Sequence, residues 1–194
     1  MDDPSGAGER SRPPRLTRTV LRPRAIGYLL IVKIVVRGGR PDDWPAMRQA
    51  FAAAGQAAWS HILPAGTLAT PTPPERWHPG NGGEVLVVEA DGALVGFACG
   101  RGSQDADASS TIGEIDAFYT HPSVWGCGAG RALISAAITR LAELGFTEAT
   151  LWTEHRNHRP RRFYERAGWT LDGAERRRDF RGIELLELRY RITV

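Results

Sequence analysis

Cysteine is scarce in this chain. Of 194 residues only Cys99 and Cys127 are cysteines, one in a strand-like stretch and one in a glycine-rich loop, so no disulfide framework and no thiolate metal set is available. The histidines do not make up for this. His121, His155 and His158 fall on turns with no i, i+4 helical pair among them, and no metal is expected. A membrane-length apolar run is missing at the N-terminus too. The run from Ala25 to Val32 covers about eight residues before Lys33 interrupts it, against roughly twenty for a transmembrane helix. Arginines ahead of that run imitate a signal or transit peptide, but no small-x-small cleavage site follows; a cytoplasmic protein with no membrane partner is expected.

Most of the chain also lacks a surplus of either charge. The formal charge of +3 is carried by Arg10, Arg12, Arg15, Arg18, Arg22 and Arg24 against Asp2, Asp3 and Glu9, and residues 25–194 balance. The basic character therefore does not mark a nucleic-acid-binding domain, and no nucleic-acid partner is expected for it. An electrostatic role of the arginine tail is the one route left to such a partner. A Pro- and Arg-rich segment without apolar periodicity is expected to be disordered. Residues 1–30 then form a basic extension and residues 31–194 a single domain, since the length suits one well-cored domain and is short for two.

What is present is a succession of strand and helix patterns. Ile31 to Arg37 alternates as a first strand, and Asp42 or Asp43 can cap a helix running through Met47, Phe51 and Ala54. Residues 60–82, rich in Pro, Gly, Thr and Trp, read as a short helix and a long loop. Strand-like segments starting at Glu84 and Ala93 flank Asp91-Gly92, a strong hairpin signal. A strand follows from Ile112 to Thr120. The segment Gly128 to Leu144 places Leu133, Ala136, Ala137 and Leu141 at helical spacing, and Gly145 can end it. A strand from Ala149 to Glu154 leads into a helix bearing Tyr164 that Gly168 ends. The last segments, Trp169 to Leu171 and Ile183 to Ile192, are strands separated by a charged stretch that reads as a solvated hairpin.

Two motifs carry chemistry. The first, IDAFYTHPSVWGCGAGRAL from Ile115 to Leu133, sets a strand, a turn and a glycine-rich loop ahead of a helix. Gly126, Gly128 and Gly130 strip side chains from alternate positions, so phosphates can approach the free N–H groups of the helix N-terminus. It is not a dinucleotide fingerprint, because Arg131 stands where the last glycine is needed, and it is not a P-loop, because no Gly-Lys-Ser/Thr follows. The second, LWTEHRNHRPRRFYERAGW from Leu151 to Trp169, runs from a strand into a helix.

Together the motifs resemble the GCN5-related N-acetyltransferase (GNAT) family over about Ile34 to Tyr190. That family's acetyl-CoA loop reads Gln/Arg-x-x-Gly-x-Gly/Ala, and here Trp125 stands at the Gln/Arg position and Gly128-Ala129-Gly130 at the close. Its second motif places Asn, Ala, aromatic-Tyr and Gly-Phe, matched by Asn157, Pro160, Phe163-Tyr164 and Gly168-Trp169. Pro160 departs from Ala, but proline suits a first helical turn. The resemblance implies an α/β fold of the acyl-CoA N-acyltransferase type: about seven mostly antiparallel strands, a central parallel pair that splays apart, and about four helices. It also implies an N-acetyltransferase with acetyl-CoA as cosubstrate and no metal.

By resemblance, main-chain groups of Phe118, Tyr119 and Thr120 hold the pantetheine arm. The amides of Gly126, Cys127, Gly128, Ala129, Gly130 and Arg131 hold the diphosphate, and Asn157 bonds the pantetheine or caps the next helix. Tyr164 matches the phenol that protonates the coenzyme A sulfur, with a plain core aromatic as the simpler reading. A lysine-like amine, with a pKa of about 10.4, must lose a proton to attack. Glu154 and Glu114 are both candidate bases, the first matching the glutamate of ribosomal-protein N-acetyltransferases and the second the catalytic-strand glutamate of other branches. The acceptor, a small-molecule amine or a peptide, is expected between roughly Trp59 to Trp77 and Arg176 to Phe180. Trp59, His61, Trp77 and His78 can line it or merely cover a core edge. The family resemblance admits a homodimer, and a catalytically silent acyl-CoA-binding module is the alternative function.

Overall fold

Turn chemistry sets the strand pairs. In the computed structural model, which describes residues 15–23, 29–64, 67, 72–81 and 83–194, Asp91 and Gly92 both take positive φ, 50° and 84°, as a tight hairpin turn requires. They join β3 (Glu84–Ala90) to β4 (Ala93–Gly102). Arg181 and Gly182, at 56° and 79°, do the same for β7 (Thr170–Phe180) and β8 (Ile183–Thr193). The remaining strands are β1 (Leu16–Pro23), β2 (Leu29–Gly38), β5 (Ile112–Thr120) and β6 (Glu148–Glu154). The helices are α1 (Trp44–Trp59), α2 (Ala129–Glu143) and α3 (His158–Arg166).

The eight strands form one sheet in the order β1-β2-β3-β4-β5-β6-β8-β7. Every neighbouring pair is antiparallel except β5 and β6, which α2 connects in parallel. Helices α2 and α3 cover one face, burying Ile115, Leu133, Leu151, Tyr164, Trp169 and Tyr190. Helix α1 covers the other, burying Met47 against Val87, Phe97 and Ala117.

Several expectations are corrected here. The extension expected to be disordered contains β1, which pairs with β2 from Leu16 opposite Val36 to Pro23 opposite Leu29; residues 1–14 lie outside the described residues. Thr17, Thr19 and Val20 favour extended backbone, and Val20 packs on the core, which the arginine-rich composition concealed. With β1 the sheet has eight strands where about seven were expected, and three α-helices occur among the described residues, where the described part of 60–82 holds a short 3-10 turn, Glu75–Trp77. The charged stretch before Ile183 is itself the strand β7. Its arginines are neutralised across the pair: Arg176 and Arg178 by Glu187, and Arg177 by Glu184. Asp43 precedes α1 as expected, but its carboxylate accepts from Arg37 rather than capping the helix.

Candidate active site

Strands β5 and β6 pair only at Ile112 with Glu148, Gly113 with Ala149 and Glu114 with Thr150. Beyond Glu114 the edge of β5 facing β6 has no strand partner, and β6 turns to β8 alone through Glu154. The two strands thus open toward the ends that carry Phe118, Tyr119 and Thr120. Helix α3 borders this opening, with Phe163 stacked on Phe118 at 5.4 Å and Tyr164 edge-on to it at 6.1 Å.

A bulge resets the alternation of β5. Ala117 lies opposite Cys99 and Ile115 opposite Gly100, which leaves Asp116 as an extra residue. Glu114 and Asp116 face the α1 side by ordinary alternation, and the bulge sets Ala117 on that side as well, so that Phe118 returns to the face of Ile115, under α2 and α3. Asp116 is fully engaged, accepting from the Trp77 indole N–H at 2.6 Å and from Arg76 at 2.8 Å.

The glycine loop follows a turn at Pro122–Val124. Gly126 and Gly128 hold φ of 83° and 90°, a left-handed backbone that disfavours any side chain, and Gly128 begins α2 with no side-chain cap. The N–H groups of Gly128, Ala129, Gly130 and Arg131 thus have no backbone acceptor among the described residues. Cys127 differs from the expectation: its amide and its thiol both donate to the Val124 carbonyl, so its N–H is spent inside the loop. The Trp125 indole N–H turns back onto the carbonyl and hydroxyl of Thr120, at 3.0 and 3.2 Å. Arg131 is exposed at the first turn of α2.

Tyr164 is 6% exposed and its hydroxyl has no hydrogen-bond partner among the described residues. Burial, with the Tyr119 and Tyr190 phenols nearby, pushes its proton affinity well above that of an ordinary phenol, so it stays neutral through the physiological range. Asn157 is buried at the start of α3 but does not cap it, and its side-chain oxygen is sealed from solvent without a partner.

The two candidate bases differ. Glu154 is wholly buried and saturated: the Arg156 backbone N–H and Nε donate to it at 2.6 and 2.7 Å, and His155 Nδ1 lies 3.1 Å away. Glu114, also buried, accepts no hydrogen bond among the described residues; its charge partner is Arg101 at 3.4 Å. Burial raises its proton affinity, Asp116 and Asp105 add to the rise, and Arg101 and Arg176 oppose it. Among the described residues it is a buried carboxylate of this face that accepts no hydrogen bond.

The profile of the Acetyltransferase (GNAT) family matches residues 44–169, well over half of the chain. The chain belongs to the acetyltransferase (GNAT) family. Its fold is shared with yncA of Salmonella typhimurium, solved with its cofactor acetyl-CoA, at a TM-score of 0.64 and 22% identity over 82% of this chain and 93% of that one. It is likewise similar to the ribosomal-protein-alanine N-acetyltransferase of Brucella melitensis, at 0.63 and 21% over 82% and 99% of the two chains. Among curated proteins, a mycothiol acetyltransferase of Acidimicrobium ferrooxidans is 37% identical over 87 residues, which are 45% of this chain and 28% of that protein. An N-acetyltransferase of Archaeoglobus fulgidus is 36% identical over 81 residues, 41% of this chain and 55% of its own. This GNAT chain thus spans between 28% and 55% of the length of these two relatives.

In this GNAT member Trp77, one of the aromatics considered for the acceptor side, is a core residue packed among Phe51, Phe97 and Tyr119. Trp59 stacks on Phe180 at 6.4 Å, so the end of α1 does meet the last hairpin. His61 reaches the Arg156 carbonyl and His78 packs on Trp44. Among the described residues no three His, Cys, Asp or Glu side chains group as metal ligands, and no helix is long and apolar enough to cross a membrane. Sequence reasoning missed the Asp116 bulge and the contact of Arg159 with Trp125. The bulge shows only in the pairing of β4 with β5, and the contact of Arg159 with Trp125 likewise leaves no local signal.

Proposed function

We propose that the chain is an acetyl-CoA-dependent N-acetyltransferase that acylates a primary amine, small molecule or peptide, with Tyr164 as general acid and Glu114 as general base. The observation that carries this reading is the opening between β5 and β6, flanked by the glycine loop and by a buried, unpartnered Asn157 oxygen. Membership of the family supports it, as does the acetyl-CoA solved with yncA.

Acetyl-CoA, when bound, supplies an acyl group activated as a thioester. The amides from Gly128 to Arg131 receive the diphosphate, and the positive end of the α2 dipole adds favourable charge. The open edge of β5 at Phe118, Tyr119 and Thr120 offers main-chain groups to the pantetheine amides, and the Asn157 oxygen fits an amide N–H from the same arm. Glu114 takes a proton from the ammonium of the acceptor, directly or through one water, which frees the nitrogen lone pair to bond to the acyl carbon. As the C–S bond breaks, Tyr164 gives its phenolic proton to the departing sulfur, whose own affinity for that proton rises in the same desolvated cleft. The second amine proton, lost on amide formation, returns Tyr164 to its neutral state, and Glu114 releases the proton it took to solvent.

Glu114 is preferred to Glu154 as the base because both oxygens of Glu154 are already engaged by the Arg156 backbone N–H and Nε, whereas Glu114 accepts no hydrogen bond among the described residues. Glu154 instead fixes the turn that starts α3.

Tyr164→Phe tests the reading. With a broad amine panel and thiol release as the readout, kcat is expected to fall about 100-fold or more. Affinity for acetyl-CoA and the melting temperature should hardly change, since the hydroxyl has no hydrogen-bond partner among the described residues. Unchanged kcat would overturn the role of Tyr164. Full acetyl-CoA binding without turnover by the wild type would mark a silent binding module instead.

The pH profile tests the base. A base works deprotonated, so kcat/KM should decline on the acid side with a midpoint above the usual carboxylate range, following the raised affinity of Glu114. Glu114→Gln should remove that limb along with most of the rate.

A further inference from the structure

The position where this family carries a long polar side chain holds Trp125, and its one N–H is committed to Thr120. The indole therefore offers no donor to a phosphate. Its face, however, is occupied: the guanidinium carbon of Arg159, in the first turn of α3, lies 3.9 Å from the ring centroid. Stacking uses only the π face of a guanidinium, so the N–H donors in its plane remain available. Among the described residues no carboxylate pairs with Arg159 and no protein group accepts from it.

A second contact fixes where that charge stands. Phe163, one turn along the same face of α3, lies 3.5 Å from where a side chain at Gly130 would begin. One face of α3 thus flanks both ends of the glycine loop, Arg159 at Trp125 and Phe163 at Gly130. Resting on the coenzyme A reading above, we propose that Arg159 is a diphosphate-binding residue of this chain, held over the loop by Trp125. The cation that the loop's first position does not supply comes from the facing helix. Trp125 is then a positioning residue: it restrains a long side chain before the ligand arrives and so lowers the ordering cost of binding.

Calorimetry on the full chain with coenzyme A and with 3′-dephospho-coenzyme A separates the possibilities. Arg159→Ala should weaken both ligands about tenfold or more, as loss of a charge-assisted hydrogen bond does, with no change in the melting temperature of the free protein. Arg159→Lys should recover part of the loss. Trp125→Phe, which keeps a ring face, should retain most of the affinity, whereas Trp125→Leu should lose it and add little to Arg159→Ala. Affinities within twofold of wild type for Arg159→Ala would overturn the assignment. So would a loss confined to coenzyme A, which would put Arg159 on the ribose phosphate. If the wild type bound neither ligand, the coenzyme A reading itself would fall, and the assignment with it.

Discussion

On the face covered by α2 and α3, strands β5, β6 and β8 bury Ile115, Leu151 and Tyr190; on the opposite face the same strands bury Glu114, Glu154 and Glu187 to the same extent, each 5% exposed or less. The first face gains from every square ångström removed from water, at about 25 cal/mol per Å² of apolar surface. The second must offset the desolvation of three carboxylates with cations. Glu187 has Arg176 and Arg178 at 2.7 Å, and Glu154 has Arg156 at 2.7 Å. Among the described residues Glu114 has Arg101 alone, at 3.4 Å. The comparison teaches that one face is organised for stability and that the other leaves a single carboxylate short of compensation. That carboxylate stands on the strand that borders the opening.

Substitutions on the two faces should therefore separate stability from activity. The largest loss of stability is expected from Trp169→Ala, which empties a fully buried site beside Tyr164 and should cost about 3–5 kcal/mol in denaturant unfolding. Glu154→Gln removes the charge and one of the two acceptor oxygens that hold Arg156, placing an NH2 donor against an N–H, and should cost about 1–3 kcal/mol. Glu114→Gln should reverse the sign. A buried acid with raised proton affinity contributes its full stability below the pKa of the unfolded chain and loses it as pH rises through the folded value. The glutamine variant should be modestly more stable than wild type at neutral pH and no different in acid, so melting curves at two pH values check it; equal stability at both would remove the distinction between the two glutamates. The smallest effect belongs to Arg176→Ala, below about 1 kcal/mol, because its side chain is 40% exposed and Glu187 keeps Arg178.

Much of this was legible in the sequence where a local rule governs. Asp91-Gly92 marked a turn because few other pairs accept two positive φ values, and the glycine loop and the Tyr164 helix were read from motifs whose spacing encodes their backbone. The misses are cases in which composition conceals a cross-strand pairing. Arginine density hid β7, whose charges are neutralised by glutamates on the next strand, β8, and hid β1, which pairs with the strand that follows it. Glu154 and Glu114 looked equivalent in sequence. They separate only once Arg156 and His155 are seen to fold back on one and not on the other.

Strand β1 also changes what the outside world meets at that border of the sheet. Without it, the row from Val32 to Val36 would form an uncapped margin, and unpaired backbone beside such apolar residues invites pairing with another molecule. With it, the outermost strand carries the exposed Arg18 and ends at Pro23, whose backbone has no N–H to offer, features that discourage such pairing. A chain trimmed to Leu29 would keep every residue assigned here to chemistry, yet would give up this guard against clumping and the solubility that comes with it.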